Sequence, residues 1–211
     1  MSSTEFTKRF GIEQVTKISA DSRAEFLVLF EPYTYSQGAA VPGQRPGEVF
    51  AGMQTVIVPA KGLRPTIAGQ YLRRLYASPA PEMDLGTFVQ SAGIFLSGDP
   101  LGFHFDLNGL VMEQQDDTTK IRKPQFAQTL SVSHPVGKVV VSGEMWHFAQ
   151  PLIRGSAVGN LWCVSYSVRR NLVLDAGFDH GLTGTSTDWE GIAGFTYLLP
   201  HRLWRRRNAV Y

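Results

Sequence analysis

The chain is a succession of segments in which apolar and polar positions alternate, and no stretch keeps a helical period. The alternation predicts about eleven strands, each about ten residues long, separated by clusters of Gly, Pro, Asp and Ser. The predicted strands lie at 4–16, 23–35, 48–58, 65–76, 86–97, 101–112, 125–134, 138–148, 158–168, 171–182 and 188–199.

The alternation is clearest in the second half of the chain, where large apolar side chains occupy one face of each predicted strand. This apolar set is Phe103, Phe105, Leu107, Trp162, Val164, Tyr166, Leu172, Leu174 and Phe178. The opposite positions form a polar set of His104, Asp106, Asn108, Ser142, Glu144, Asp175 and Asp179. A membrane barrel with a wet interior turns the first set toward lipid and lines its lumen with the second. A soluble antiparallel barrel gives the same alternation with the faces exchanged.

The length of the predicted strands favours the membrane interpretation. Strands in soluble proteins average about five or six residues, whereas a tilted strand needs about 9–11 residues to cross a bilayer. A sheet in hydrocarbon must also close on itself, because an unpaired edge cannot be hydrated there. We therefore predict an all-β fold, an antiparallel up-and-down transmembrane β-barrel.

The predicted connections alternate between short and long along the chain. The short ones are 17–22, 59–64, 98–100, 135–137 and 169–170, and the longer or more polar ones are 36–47, 77–85, 113–124, 149–157 and 183–187. In an up-and-down barrel every second connection lies at the same end. The alternation therefore predicts tight turns at one end and loops at the other, as in outer-membrane barrels.

This arrangement makes the first predicted strand run inward from outside the cell. Bacterial barrels normally have an even strand count, and MSSTEFTKRF has no apolar signal-peptide core. We expect a signal peptide and one further strand before this start, which makes about twelve strands; otherwise 4–16 is not a strand and about ten remain. The expected layout is one barrel domain over 1–199 and a basic tail over 200–211.

The composition agrees with this layout and excludes several function classes. Charged residues are 18% of the chain, below the usual ~25%, while Gly numbers 21 and aromatics reach 11%. A net charge of +2 gives no basis for nucleic-acid binding. The single cysteine, Cys163, excludes an intramolecular disulfide.

No catalytic or metal-binding motif stands out. The chain has no nucleophile elbow, P-loop or glycine fingerprint, and no spacing joins His147 or His180 to a serine. A metal at His104 and Asp106 needs three or four convergent ligands, and no further ligand can be named. We therefore predict no enzyme activity and no cofactor. The polar set then either sets the charge and width of a solute path or fills a narrow barrel that transmits nothing.

Five runs carry a family resemblance: LGFHFDLNG (101–109), QFAQTLSVSHP (125–135), VSGEMWHFAQP (141–151), NLVLDAGFDHGLTG (171–184) and DWEGIAGFTY (188–197). With these runs, the chain from about 26 to 199 resembles the phenol-degradation meta-pathway family of outer-membrane proteins, which are labelled transporters. The resemblance implies the outer membrane of a Gram-negative bacterium and a role in moving hydrophobic or aromatic compounds. It implies no catalytic residue. Two departures are the missing signal peptide and the LLPHRLWRRRNAVY that follows Tyr197, where the family's closing strand ends the protein on an aromatic residue.

We therefore expect a porin-like channel or transporter with outer-membrane lipid as its partner and small hydrophobic or aromatic solutes as cargo. Two alternatives stay open: a structural outer-membrane barrel that does not conduct, and a soluble β-barrel or sandwich that binds a hydrophobic ligand. The sequence leaves the solute and the oligomeric state open.

Overall fold

The computed structural model describes residues 8–37, 43–77, 88–116, 119–151 and 155–199. Over these residues the chain is all-β, with eleven antiparallel strands joined up-and-down in one sheet and one further short strand beside them. Apart from a 3-10 turn at Pro100–Gly102, this part of the chain contains no helix. No described helix is therefore able to span a membrane.

Successive strands are neighbours in the sheet, except that the short β3 pairs with the end of β2. The strands are β1 (Lys8–Ser19), β2 (Ala24–Gln37), β3 (Gly43–Arg45), β4 (Val49–Val58), β5 (Thr66–Tyr76), β6 (Phe88–Gly98), β7 (His104–Gln115), β8 (Arg122–Val136), β9 (Val139–Ala149), β10 (Ser156–Arg169), β11 (Leu172–Gly181) and β12 (Trp189–Tyr197). β1 and β12 form the two edges of the described sheet, which is not closed there.

Each predicted segment overlaps one of the long strands, so the all-β, up-and-down prediction is confirmed. β1 shows that 4–16 does include a strand, and the ten-strand alternative is wrong; residues 4–7 and the predicted tail lie outside the described residues. β7 begins at His104 rather than Leu101, because Leu101 (φ 57°) and Gly102 (φ 81°) turn the chain first. β3 was not predicted, because three residues are too few to show a period.

The connections follow the predicted order. We call the end with links 20–23, 59–65, 99–103, 137–138 and 170–171 the short-turn end, and the end with links 38–48, 77–87, 116–121, 150–155 and 182–188 the long-link end. Link 59–65 is as long as 182–188. It nevertheless folds back on itself, since Lys61 pairs with Arg64 and Gly62 has a φ of 60°.

The strand registers divide the side chains between two faces, because directly opposed residues of an antiparallel pair project to the same side. On β7 the residues alternate between the two faces. Phe105 and Leu107 lie on the apolar face, and Asp106 and Asn108 lie on the polar face. Phe105 is 36% exposed and Leu107 49% exposed, whereas Asp106 and Asn108 are half-buried. This distribution is the reverse of that in a water-soluble sheet, whose apolar face is the covered one.

The described sheet is a single layer. Its substantial contacts between elements all join strands that are neighbours in the sheet. A sheet normally buries its apolar face against a second layer of structure. The described chain supplies no such layer, and large apolar side chains on the long strands are left exposed. The apolar face therefore needs a cover from outside the described chain.

Candidate functional site

One row of the polar face concentrates carboxylates. From β6 to β11, each strand places one residue of this row directly opposite that of the next strand. The residues, in strand order, are Ser97, Asp106, Ser131, Glu144, Leu161 and Asp179. We call this set the carboxylate row. Three carboxylates, those of Asp106, Glu144 and Asp179, therefore lie at the same height of the sheet.

Asp106 is held by side chains from both neighbouring strands. The Ser97 hydroxyl donates to its Oδ1, and the Ser131 hydroxyl lies 3.4 Å from its Oδ2. The His104 Nε2 is 3.2 Å from the same Oδ2, and the His104 Nδ1 is 2.7 Å from Asp99 Oδ1. His104 therefore bridges a carboxylate in the turn and a carboxylate in the strand, which fixes the orientation of both.

Asp179 is held by an indole that crosses an intervening strand. The Trp146 Nε1 donates to both carboxylate oxygens of Asp179, at 2.9 and 3.0 Å. The Trp146 ring reaches β11 by lying over Gly159 on β10, where a Cβ atom would stand only 2.2 Å from the ring. Because only glycine leaves this space, Gly159 allows Trp146 to reach Asp179.

The other predicted polar residues also contact side or main chains on neighbouring strands. The Ser165 hydroxyl lies 2.5 Å from Asp175, and the Asn108 amide donates to the Thr129 hydroxyl at 2.9 Å. Ser142 donates to the Cys163 carbonyl at a longer 3.4 Å.

The structure brings all of the predicted polar residues to one face. Asp106, Glu144 and Asp179 share the carboxylate row; the others lie on rows beside it. The predicted apolar residues that project from the opposite face and are exposed are Phe105, Leu107, Trp162, Val164, Tyr166, Leu174 and Phe178. Leu172 is half-buried on the same face, and the exposed Phe103 precedes β7 with its ring 4.7 Å from that of His134.

The polar face is negatively charged around the carboxylate row. In the described part of the chain, no lysine or arginine forms an ion pair with Glu144, Asp175 or Asp179. Their described polar contacts are with the Ser165 hydroxyl and the Trp146 indole. These three carboxylates therefore have no cationic side-chain partner among the described residues.

Two ion pairs occupy the polar face at the long-link end. The Arg9 guanidinium is 2.9 Å from Glu31, and that of Arg74 is 3.2 Å from Glu48. Glu31 and Glu48 are only 8% and 5% exposed, and Glu31 also accepts the Glu48 N–H at 3.2 Å. Glu31 and Glu48 were not among the residues predicted from the sequence. The available signal was Glu31 directly after the apolar run FLVLF.

Aromatic pairs also lie on the polar face toward the long-link end. The rings of Phe50 and Phe88 stack at 4.3 Å, and those of Trp146 and Phe148 are 5.2 Å apart. These rings were not predicted on the polar face, although Trp146 and Phe148 continue the alternation that begins at Glu144.

The described residues contain no group of three or more His, Cys, Asp or Glu placed to bind a metal. The two histidines considered for catalysis are engaged elsewhere. His147 Nδ1 is 2.7 Å from Gln128 Oε1, and the His180 ring packs 4.2 Å from that of Trp189. Neither of these two contacts joins a histidine to a serine hydroxyl.

No family model and no curated protein matches this chain. The resemblance to phenol-degradation outer-membrane proteins therefore stays a prediction, and the function is argued from the geometry of the two faces.

Proposed function

We propose that this chain forms the membrane-embedded wall of an outer-membrane β-barrel and that small solutes pass along its polar face. One observation carries the proposal: most of the large apolar side chains are on the exposed face of a single-layered sheet, and polar side chains are hydrogen-bonded across the other face. A smaller apolar set is buried on that other face: Leu27, Phe50, Leu72, Met112 and Trp146. Exposing apolar area to water costs about 25 cal/mol per Å². Lipid removes that cost and supplies the cover that the described chain lacks.

The strand lengths and the exposed aromatic residues support this proposal. The long strands run from 9 residues in β12 to 15 in β8, enough for tilted strands to cross a bilayer. Exposed aromatic side chains lie near both ends of the strands, with Tyr35 and Trp189 at the long-link end and Tyr166 and Tyr197 at the short-turn end. Tyr and Trp favour membrane–water interfaces, where one part of the ring is apolar and the other is hydrated.

The polar face suggests which solutes would pass. The carboxylate row disfavours anions, since uncompensated charges lining a path repel solutes of the same sign. The stacked Phe50–Phe88 pair and the tilted Trp146–Phe148 pair lie on the same face, where the half-buried rings of Phe88 and Phe148 are the accessible members. Neutral or cationic aromatic compounds fit this combination, because their rings can stack on the aromatic pairs without charge repulsion.

The test is reconstitution of the folded full chain. We expect its migration on a denaturing gel to change with heating, and we expect planar bilayers that contain it to conduct. Liposomes should also take up a small neutral aromatic compound faster with the protein than without it. Insertion without conductance or uptake would identify a structural barrel. A water-soluble monomer that binds a hydrophobic ligand and does not insert would identify the soluble alternative.

A further inference from the structure

A hydrogen-bonded polar network interrupts the apolar face near the long-link end. The Tyr71 hydroxyl donates to Gln90 at 2.8 Å, and the Gln90 amide donates to Glu113 at 2.6 Å. The Arg122 guanidinium lies 2.7 Å from the other oxygen of Glu113. The network thus takes one residue from each of β5, β6, β7 and β8 and ends on a cation.

An open cleft of about 430 Å³ lies beside this network. Its floor is apolar, with Ala92 between the directly opposed Tyr71 and Val111. The small side chain of Ala92 leaves a depression between its larger neighbours. The volume falls within the range of about 300–1,000 Å³ that is usual for ligand clefts. An apolar floor with a polar rim suits an amphiphile.

The side chains around the rim of the cleft carry more positive than negative charge. Arg122 lines the cleft, and the exposed Arg73 lies directly opposite Gln90 in the sheet. Lys123 does not add to this charge, because it lies opposite Gln114 on the polar face and its ammonium donates to the Pro151 carbonyl at 3.1 Å. Glu113 is the one carboxylate among the lining residues, and its pairing leaves the Arg122 side chain 59% exposed. Arginine binds phosphate through a fork of parallel N–H donors, so Arg122 can contact a phosphate while it stays beside Glu113.

We propose that this cleft binds a phosphate-bearing anionic lipid, with the phosphate at Arg122 and Arg73 and an acyl chain over Ala92 and Val111. The proposal rests on the membrane-embedded part of the proposed function, because only then does lipid lie against this face. The cleft lies toward the long-link ends of the strands. A bound lipid would therefore have its headgroup at the membrane boundary and its chain along the apolar face.

The experiment measures lipid binding to the full chain in detergent micelles by native mass spectrometry. Phosphatidylglycerol should bind about tenfold more tightly than phosphatidylcholine. Arg122→Gln should remove most of this preference, and Arg73→Gln part of it. Glu113→Gln should strengthen phosphatidylglycerol binding, because its carboxylate repels the phosphate. Ala92→Leu should weaken the binding of both lipids by filling the floor.

Arg169→Gln is the matched control, since Arg169 is an exposed cation on β10 at the short-turn end. An equal loss in Arg169→Gln and Arg122→Gln would mean that only net charge matters and would overturn the site. Unchanged binding in Arg122→Gln and Glu113→Gln would overturn it as well. Inorganic phosphate that displaces the lipid at millimolar concentration would identify a phosphate site instead.

Failure of this proposal is distinguishable from failure of transport. Lipid preference in micelles does not depend on conductance. A barrel that does not conduct but shows the expected preference supports the lipid site and contradicts the channel. A protein that conducts but has no lipid preference supports the channel and contradicts the lipid site. Each variant's heat-dependent gel migration checks folding. If Arg122→Gln does not fold, Arg122→Lys keeps the charge without the fork and should give intermediate binding.

Discussion

At the scale of single residues, Gly159 and Trp146 are coupled on the polar face. Gly159→Val places a branched side chain where the Trp146 ring lies, 2.2 Å from the position of the first added carbon. We expect a loss of about 1–3 kcal/mol in the free energy of unfolding, because either the ring or the strand must move. Chemical unfolding of wild type and of Gly159→Val, both folded in detergent, measures this difference in the free energy of unfolding.

Gly109→Val is the control for this substitution. A Cβ at Gly109 of β7 meets nothing within 4 Å, and valine favours strands. A Gly159→Val protein as stable as Gly109→Val would mean that the Trp146 ring does not lie over Gly159.

The indole–carboxylate contact gives a second prediction at this scale. Trp146→Phe keeps most of the ring but removes the donor that serves both oxygens of Asp179. We expect about 2–3 kcal/mol of destabilisation, since a half-buried charged group loses its donor. Trp162→Phe is the comparison: Trp162 is 51% exposed on the apolar face, and its indole has no hydrogen-bond partner among the described residues. Equal losses in the two variants would contradict a specific role for the contact.

At the scale of elements, the β1–β2 turn depends on Asp21. Its carboxylate accepts the backbone N–H groups of Arg23 and Ala24 at 2.7 and 2.8 Å, and these bonds lower the pKa of Asp21. A lowered folded-state pKa stabilises the fold above the unfolded value of about 3.9, and this stabilisation is lost as the pH falls through the folded value.

Asp21→Asn tests this turn. Wild type should unfold at a higher urea concentration than the variant at about pH 6, and the difference should shrink as the pH falls below the unfolded-state pKa of about 3.9. A difference that does not change with pH would show that the charge of Asp21 contributes nothing to the turn.

Most of the strands could be predicted from the sequence, because a period of two shows itself within one segment. Phe105, Asp106 and Leu107 reveal two faces without any knowledge of the neighbouring strands. Contacts that depend on register could not be predicted in this way: Trp146 meets Asp179 across β10, and nothing local aligns them. The start of β7 was also missed, since the φ of 57° at Leu101 is uncommon for a residue with a side chain.

At the scale of the whole molecule, the carboxylate row predicts charge selectivity. With a potassium chloride gradient across a planar bilayer, the reversal potential should indicate preference for the cation. Glu144→Gln combined with Asp179→Asn should reduce that preference, because both carboxylates lie in the row without a described ion pair. Asp188→Asn, in an exposed link, removes a carboxylate elsewhere and should change it less. Equal selectivity in all three proteins would exclude the row from the solute path.

The central claim is that lipid covers one face of this sheet and water the other. Leu107 and Asn108 are adjacent on β7 and project to opposite faces, so single cysteines at these positions, with Cys163 replaced by Ser, can report on each face. Fluorescent labels attached there would be measured in phospholipid vesicles with a lipid-bound quencher and with a water-soluble one. The label at 107 should be quenched from the lipid and the label at 108 from the water. Quenching of both labels by the water-soluble agent, or protection of 107 from both quenchers, would contradict the membrane-embedded sheet.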